Sequence, residues 1–408
     1  MELDLYMTAG AGILALCLGV FFTRTVPALK RFCIPAPVSG GLAVSLLTLA
    51  AHALFKLDFN FDGTFKDLCM ILFFTSVGFQ SDLRVLRRGG RPLGVMVGLV
   101  AVLIVVQNLL ALGIARGMHL DPLVGMATGS IPMCGGHGTA GGFSPLLQAR
   151  GLQNAASVTM AAATFGLVAG SLIGGPLGEW LIRRHTLAQP SCGQDDPVVS
   201  LEAAEAAEEK RRATPVSEEQ AFRRYSQAVC QLVLCVALGM GVSKLLSLTG
   251  LTFPTYFGAL LVGALVRNLF GHPAPGRASP LCINEITALG NICLSLFLGM
   301  AMATLKLWEL AGLMLPLVVI LLAQALFMVL FAGLAAFPAL GRDYDAAVLA
   351  SGLCGFGLGA TPNAMANMSA VCYKYHYAVR PFIIVPILGA MFVDLINTGV
   401  ITLFLNIL

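Results

Sequence analysis

Charge is scarce in this 408-residue chain: Asp, Glu, Lys and Arg together make up only 11% of it. A soluble domain carries about 25%, so an ordinary water-exposed surface is excluded. The 11 cysteines include no Cys-x-x-Cys pair, which argues against a zinc site or a disulfide framework. Those in apolar runs, such as Cys17, Cys69, Cys134, Cys230, Cys235, Cys293 and Cys354, read as small buried hydrophobes. Neither GxSxG nor HExxH occurs, and the glycine-rich strings lack the strand–turn–helix context of a dinucleotide site. No enzyme is expected. The basic residues sit in short loops and form no stripe, which excludes a nucleic-acid partner despite the net charge of +4. The N-terminus carries Glu2 and Asp4 in place of a basic region, so its apolar run reads as a membrane span and not as a cleaved signal.

Apolar residues are abundant: 57% of the chain, with a mean hydropathy of +0.84. The fold class expected is an all-α polytopic membrane protein. Ten candidate spans cover about 5–25, 38–55, 67–83, 92–115, 154–182, 225–247, 254–270, 286–304, 309–334 and 381–407. Two further apolar segments, 121–149 and 345–372, are interrupted by glycine clusters and read as re-entrant hairpins. The alternative is a full helix with a glycine packing seam. Each half then holds five spans and one hairpin, and the odd number inverts the second half relative to the first. The expected division is a membrane repeat at 1–184, a linker at 185–222 and a second repeat at 223–408. Asp121-Pro-Leu-Val and Asp345-Ala-Ala-Val, which precede the two breaks, support the repeat weakly, as do Phe73–Gly78 and Leu296–Ala301.

With the N-terminus outside, nineteen of the 25 Lys and Arg residues fall in cytoplasmic loops and six outside. The six are Lys56, Lys66, Arg116, Arg150, Lys244 and Lys306. The positive-inside rule therefore puts both termini outside and the polar middle segment in the cytoplasm. That segment, with its Glu202–Arg212 charge run, reads as a solvated linker.

The chemistry concentrates at the breaks. They read Cys134-Gly-Gly-His-Gly-Thr-Ala-Gly-Gly142 and Cys354-Gly-Phe-Gly-Leu-Gly-Ala-Thr-Pro-Asn363, with Gly138 and Gly359 separated by 221 residues. Irregular backbone at membrane depth is tolerated only where it is buried or lines a wet cavity. Paired breaks in two halves point to a transporter's binding site. No Lys or Arg lies deep in a span, so an anion must be held by helix N-termini. Thr361 before Pro362 predicts a capped helix start, and Thr139 plays the same part in the first hairpin. The candidate substrate residues are Gly136, His137, Gly138, Thr139, Gly357, Gly359, Thr361, Asn363 and Asn367. Asn363 and Asn367 share a helix face and suit either ligand contact or helix–helix bonding. His137 suits substrate contact, proton carriage or a cap. Asp394 is the one acid well inside a span, with Asn397 on the same face. These hard oxygen ligands suit Na⁺, and Asn291 is a further candidate ligand. Gly174-Gly175-Pro176 reads as packing.

These strings resemble the sodium/glutamate symporter family of bacteria. The resemblance rests on Gly135–Thr139, Cys354–Pro362, Tyr344–Ala350, Ala163–Val168 and Leu305–Leu310, and it runs along nearly the whole chain apart from the central loop. It implies Na⁺-coupled glutamate uptake across a bacterial inner membrane, with two hairpins meeting at the substrate in an elevator-like homodimer. Cys134 stands where the family pattern suggests a hydroxyl, and Leu353 where it suggests histidine; both bear on substrate preference. The expected partners are therefore glutamate, Na⁺, the lipid bilayer and a second copy of the chain. The rival readings are a channel or passive facilitator for small anions, or a Na⁺-coupled carrier of a related carboxylate. A channel calls for charge rings or a continuous polar stripe, whereas the polar sites here are isolated.

Overall fold

The computed structural model describes residues 2–57, 59–84, 90–187, 218–248, 252–271 and 280–408. Most of the expected linker at 185–222 therefore lies outside the described residues. The fold is all-α apart from a two-residue parallel pairing of Glu2–Leu3 with Asn60–Phe61. The main helices are α1 (Leu5–Thr25), α2 (Ala36–Phe55), α3 (Thr64–Gln80), α4 (Gly90–Gly117), α5 (Pro122–Thr128), α6 (Gly136–Ala149) and α7 (Ala155–Arg184). They are followed by α8 (Glu218–Ser247), α9 (Phe257–Phe270), α10 (Ile283–Ala303), α11 (Met314–Ala339), α12 (Tyr344–Leu358), α13 (Thr361–Lys374) and α14 (Val379–Ile407).

Among the described residues, eight helices are long and apolar enough to cross a bilayer: α1, α2, α4, α7, α8, α10, α11 and α14. The other two expected spans, 67–83 and 254–270, are shorter, at 17 residues in α3 and 14 in α9. At 1.5 Å per residue they reach roughly 25 and 21 Å, less than the ~30 Å apolar thickness of a bilayer. Polar groups fix where both helices stop. Asp82, just past α3, pairs with Arg267 of α9 at 3.1 Å. Asn268 donates to the Ser81 carbonyl at 2.7 Å and accepts from the Leu83 amide at 3.0 Å.

Helix starts follow local chemistry. Asp4, Asp121 and Asp343 accept from the backbone of Met7, Leu123 and Ala346, at 2.8, 2.8 and 2.7 Å. Hence the cap before the second break is Asp343. Asp345, matched to Asp121 in the sequence comparison, lies inside the first turn facing Arg380 at 3.9 Å. Two helices carry π turns, Phe331–Ala336 in α11 and Gly389–Val393 in α14. Such turns are rare and frequently mark functional positions.

Packing sorts the helices into two neighbourhoods. The helices α1, α2, α3, α8, α9 and α10 pack among themselves, and so do α4–α7 with α11–α14. Both sets draw on both halves of the sequence. The largest core cluster runs through α4–α7 and α11–α14, with Leu103, Met133, Met328, Phe356 and Leu388, and continues into the first set at Val38, Phe74, Leu260 and Phe297. Gly174 of α7 sits against Asn367 and Ser351, in keeping with a packing role for the Gly174–Pro176 string.

Candidate binding site

Two helix starts meet here. In the first hairpin α5 stops at Thr128, the backbone is irregular over 129–135, and α6 begins at Gly136. Gly136 has φ +58°, a conformation glycine adopts without steric cost. A Cβ there would stand 2.8 Å from the carbonyl oxygen of Gly359. The tips of the two glycine-rich segments are thus in contact.

In the second hairpin α12 stays helical through Gly355 and Gly357 to Leu358, and the break is confined to Gly359 and Ala360. The sequence reading spread it across the whole cluster. Burial explains the correction. A Cβ added to Gly355 would stand 2.7 Å from the Asn363–Ala364 backbone, and one added to Gly357 would stand 2.7 and 2.8 Å from Met328 and Leu103. Close packing holds these glycines helical against their poor propensity. Gly357 is therefore placed in the packed interior, with its carbonyl held by Gln107 Nε2 at 2.7 Å.

The two helix starts offer different numbers of donors. Among the described residues the N–H groups of Gly136, His137 and Gly138 in α6 find no backbone acceptor, whereas Thr139 N reaches Gly135 O at 3.4 Å. In α13 Pro362 has no N–H, and Asn363 N is bonded to Ala360 O at 3.0 Å. That leaves the Thr361 N–H. Neither threonine is a cap: the N-cap positions are Gly135 and Ala360, with no side-chain hydrogen bond. Thr361 is instead the first helical residue of α13. Its hydroxyl crowds Gly389 in the π turn of α14.

His137 is buried, with Nε2 3.0 Å from Thr164 Oγ1. Thr164 donates its single hydroxyl hydrogen to Met160 O at 2.9 Å, so Nε2 carries the proton and Nδ1 of the neutral ring is left as an acceptor. The two asparagines are bound to α7. Asn363 Nδ2 donates to Leu167 O at 2.8 Å and Ser171 Oγ at 3.0 Å, and Asn367 Nδ2 donates to Gly170 O at 2.9 Å. Their amide donors thus join helices, the alternative raised by the sequence. Asn363 Oδ1 makes no hydrogen bond among the described residues.

Gly138 faces the other helix set, 3.3 Å from Phe73 Cε1 of α3 and 3.8 Å from Leu294 Cδ1 of α10, measured from an added Cβ. Asn291 lies one turn before Leu294 and is exposed. Among the described residues no hydrogen bond joins Asn291 to Asp394 or Asn397. Those two do share a face of α14, directly after its π turn. Asn397 is fully buried and donates to Ser130 O at 3.2 Å. A Cβ on Gly135 would stand 2.6 Å from its Nδ2. The polar face of α14 therefore abuts the first hairpin. Asp394 is within charge-interaction range of Cys134 and Tyr256. Leu353 is fully buried in α12.

Sequence reasoning missed Gln107 and Gln324. Gln107 of α4 ties down the end of α12 at Gly357. Gln324 of α11 donates to Gln107 O at 2.8 Å and to Thr128 O, the end of α5, at 3.4 Å. Each bridges to a hairpin in the other half of the chain. Amides inside long apolar runs, Gln107 beside Asn108 and Gln324 by itself, were the available signal.

A protein-family model described as sodium/glutamate symporter matches residues 1–377. The sodium/glutamate symporter of Escherichia coli K12 is 40% identical over 405 residues, covering 99% of this chain and 98% of the relative. The protein of the same name from Shigella flexneri matches equally. That from Haemophilus influenzae is 36% identical over 396 residues, covering 97% and 95%. With the family match spanning both glycine-rich segments and the relatives aligned over nearly their full length, this chain belongs to the sodium/glutamate symporter family.

Proposed function

We propose that this protein carries glutamate together with Na⁺ into the cell by alternating access, with glutamate held where α6 and α13 begin. The observation that carries this reading is the contact of Gly136 with the Gly359 carbonyl, beside three N–H groups without backbone acceptors. Helix N-termini attract anions through these groups and a partial positive charge of about half a unit. A carboxylate of glutamate takes the N–H groups of Gly136, His137 and Gly138, and the second faces the Thr361 N–H. His137 Nδ1 and Asn363 Oδ1 are acceptors for the ammonium. Gly357 and Asn367 support the site through packing. Na⁺ binds Asp394 with Asn397, and Asn291, exposed on α10, is a further candidate ligand.

The repeat division at 1–184 and 223–408 has support in the packing. Gly19 of α1 meets Gly40 of α2, and Gly239 of α8 meets Gly258 of α9 in the same way. Elevator-like movement would carry α4–α7 and α11–α14, with both helix starts, against α1–α3 and α8–α10. The homodimer and the bacterial inner-membrane location are proposed with it, both termini being outside.

The decisive experiment is uptake of radiolabelled glutamate into proteoliposomes. An inward Na⁺ gradient should concentrate glutamate above the external level, and K⁺ in place of Na⁺ should abolish accumulation. Equilibration without accumulation would identify a facilitator instead. Orientation has its own test. In a cysteine-free background, Leu57→Cys should label from outside and Gln194→Cys only from the cytoplasm; labelling of both from one side rules out the inverted arrangement.

A further inference from the structure

Threonines inside these helices normally return their hydroxyl to the carbonyl four residues back. Thr75, Thr128, Thr159 and Thr164 do so at 2.7, 2.8, 2.8 and 2.9 Å. Thr139, Thr398 and Thr402 do not. Their hydroxyls are buried and make no hydrogen bond among the described residues, as is also true of Tyr256 Oη and Asn397 Oδ1. Thr139, Thr398, Tyr256 and Asn397 are at most 1% exposed. A buried polar atom left without a partner costs about 1–3 kcal/mol, so four together call for a ligand.

The four converge. Asn397 and Thr398 follow Asp394 by three and four residues and so share its face of α14. Thr139 stands in the first turn of α6, and both its Cβ and Asn397 Nδ2 crowd Gly135, at 2.5 and 2.6 Å from an added Cβ. Tyr256, which leads into α9, stacks on Phe74 at 3.7 Å and lies 2.8 Å from an added Cβ on Gly142, one turn beyond Thr139. Its hydroxyl neighbours that of Thr398 without meeting hydrogen-bond geometry, and Asp394 is within charge range.

The donor set decides the ligand class. Asn397 Nδ2 is already committed to Ser130 O, so its free atom is a carbonyl oxygen with lone pairs only. A carboxylate, an amide carbonyl and three hydroxyls form an all-oxygen set with one net negative charge. Hard monovalent cations take such ligands, and an anion would be repelled. We propose that Thr139 Oγ1, Tyr256 Oη and Thr398 Oγ1 complete a Na⁺ cage with Asp394 and Asn397. The inference rests on the symport reading and deepens it, because the cage joins three elements. Na⁺ bound there clamps α14 to the first turn of α6, the turn whose N–H groups face glutamate. It also neutralises a carboxylate that otherwise competes with the substrate for that helix start. Na⁺ then raises glutamate affinity, and glutamate raises Na⁺ affinity by the same factor.

The test is binding of radiolabelled glutamate to the purified full-length chain over a Na⁺ titration. Tyr256→Phe and Thr398→Val each remove one oxygen with little change of shape. Each should raise the Na⁺ concentration for half-maximal binding about tenfold, with glutamate affinity at saturating Na⁺ held within about twofold. Thr398→Ser keeps the oxygen and should behave like the unmodified chain. Unchanged Na⁺ half-saturation in Tyr256→Phe and Thr398→Val overturns the cage while leaving symport intact. Equal loss of binding in Thr398→Val and Thr398→Ser at every Na⁺ concentration also overturns it, since packing rather than the oxygen is then responsible. Glutamate binding by the unmodified chain that ignores Na⁺ overturns the symport reading itself.

Discussion

Asp394→Asn is expected to abolish Na⁺-driven glutamate accumulation in a chain that still folds and inserts. The substitution keeps volume and planarity and removes only the charge. Asp394 sits directly after a π turn, three residues before Asn397, on the face of α14 that abuts the first hairpin. With the acid gone, a cation there faces only neutral oxygens. Removing one partner of a close, desolvated charge pair costs about 2–5 kcal/mol, which is at least about thirtyfold in Na⁺ half-saturation. At ordinary Na⁺ concentrations the site would stay unloaded. Uptake into proteoliposomes over a wide Na⁺ range measures this. A well-inserted variant with unaltered Na⁺ dependence would assign Asp394 a structural role.

Gly136→Ala should be the most damaging single methyl addition at the hairpin tips. Two costs coincide. The left-handed backbone at φ +58° is worth roughly 1–2 kcal/mol against any residue with a Cβ. The new Cβ also meets the Gly359 carbonyl at 2.8 Å, a backbone atom that yields only if the second hairpin moves. Glutamate affinity should fall by about tenfold or more. Gly359→Ala ranks second: its Cβ would lie 3.0 Å from both Asn363 Nδ2 and Gly355 O. Gly138→Ala ranks third, because it presses only on the edge of Phe73 at 3.3 Å. Equilibrium binding with each variant tests the ranking. A Gly136→Ala chain that binds normally while Gly138→Ala does not would move the contact point between the hairpins.

That ranking differs from the one the sequence supports, where Gly138 and Gly359 are equivalent tips. Counting residues aligns the two breaks but cannot find the irregular stretch within each. Tertiary burial makes that choice: Met328 and Leu103 keep Gly357 helical, while the region before Gly136 stays irregular. Asp394 and Asn397 were legible because an acid in an apolar run is conspicuous and helical spacing fixes their shared face. Thr139, Tyr256 and Thr398 as a group were not. Thr and Tyr are ordinary in apolar helices, and only their convergence with unpartnered oxygens beside Asp394 sets these apart. Asn363 and Asn367 were visible as polar positions, but their commitment to the α7 carbonyls at 167 and 170 required the packed structure.

The sequence by itself determined the class of molecule, the approximate position of the membrane-crossing helices and the location of two glycine-rich interruptions. Hydropathy, charge distribution and helical spacing are local, and they act whatever the rest of the chain does. Only the tertiary structure decided that Gly136 faces Gly359, that α3 and α9 stop short at the Asp82–Arg267 pair, and that Gln107 and Gln324 each tie down a hairpin from the other half of the chain. These are contacts between residues up to 250 positions apart. Their geometry depends on how whole helices pack, which no local pattern encodes.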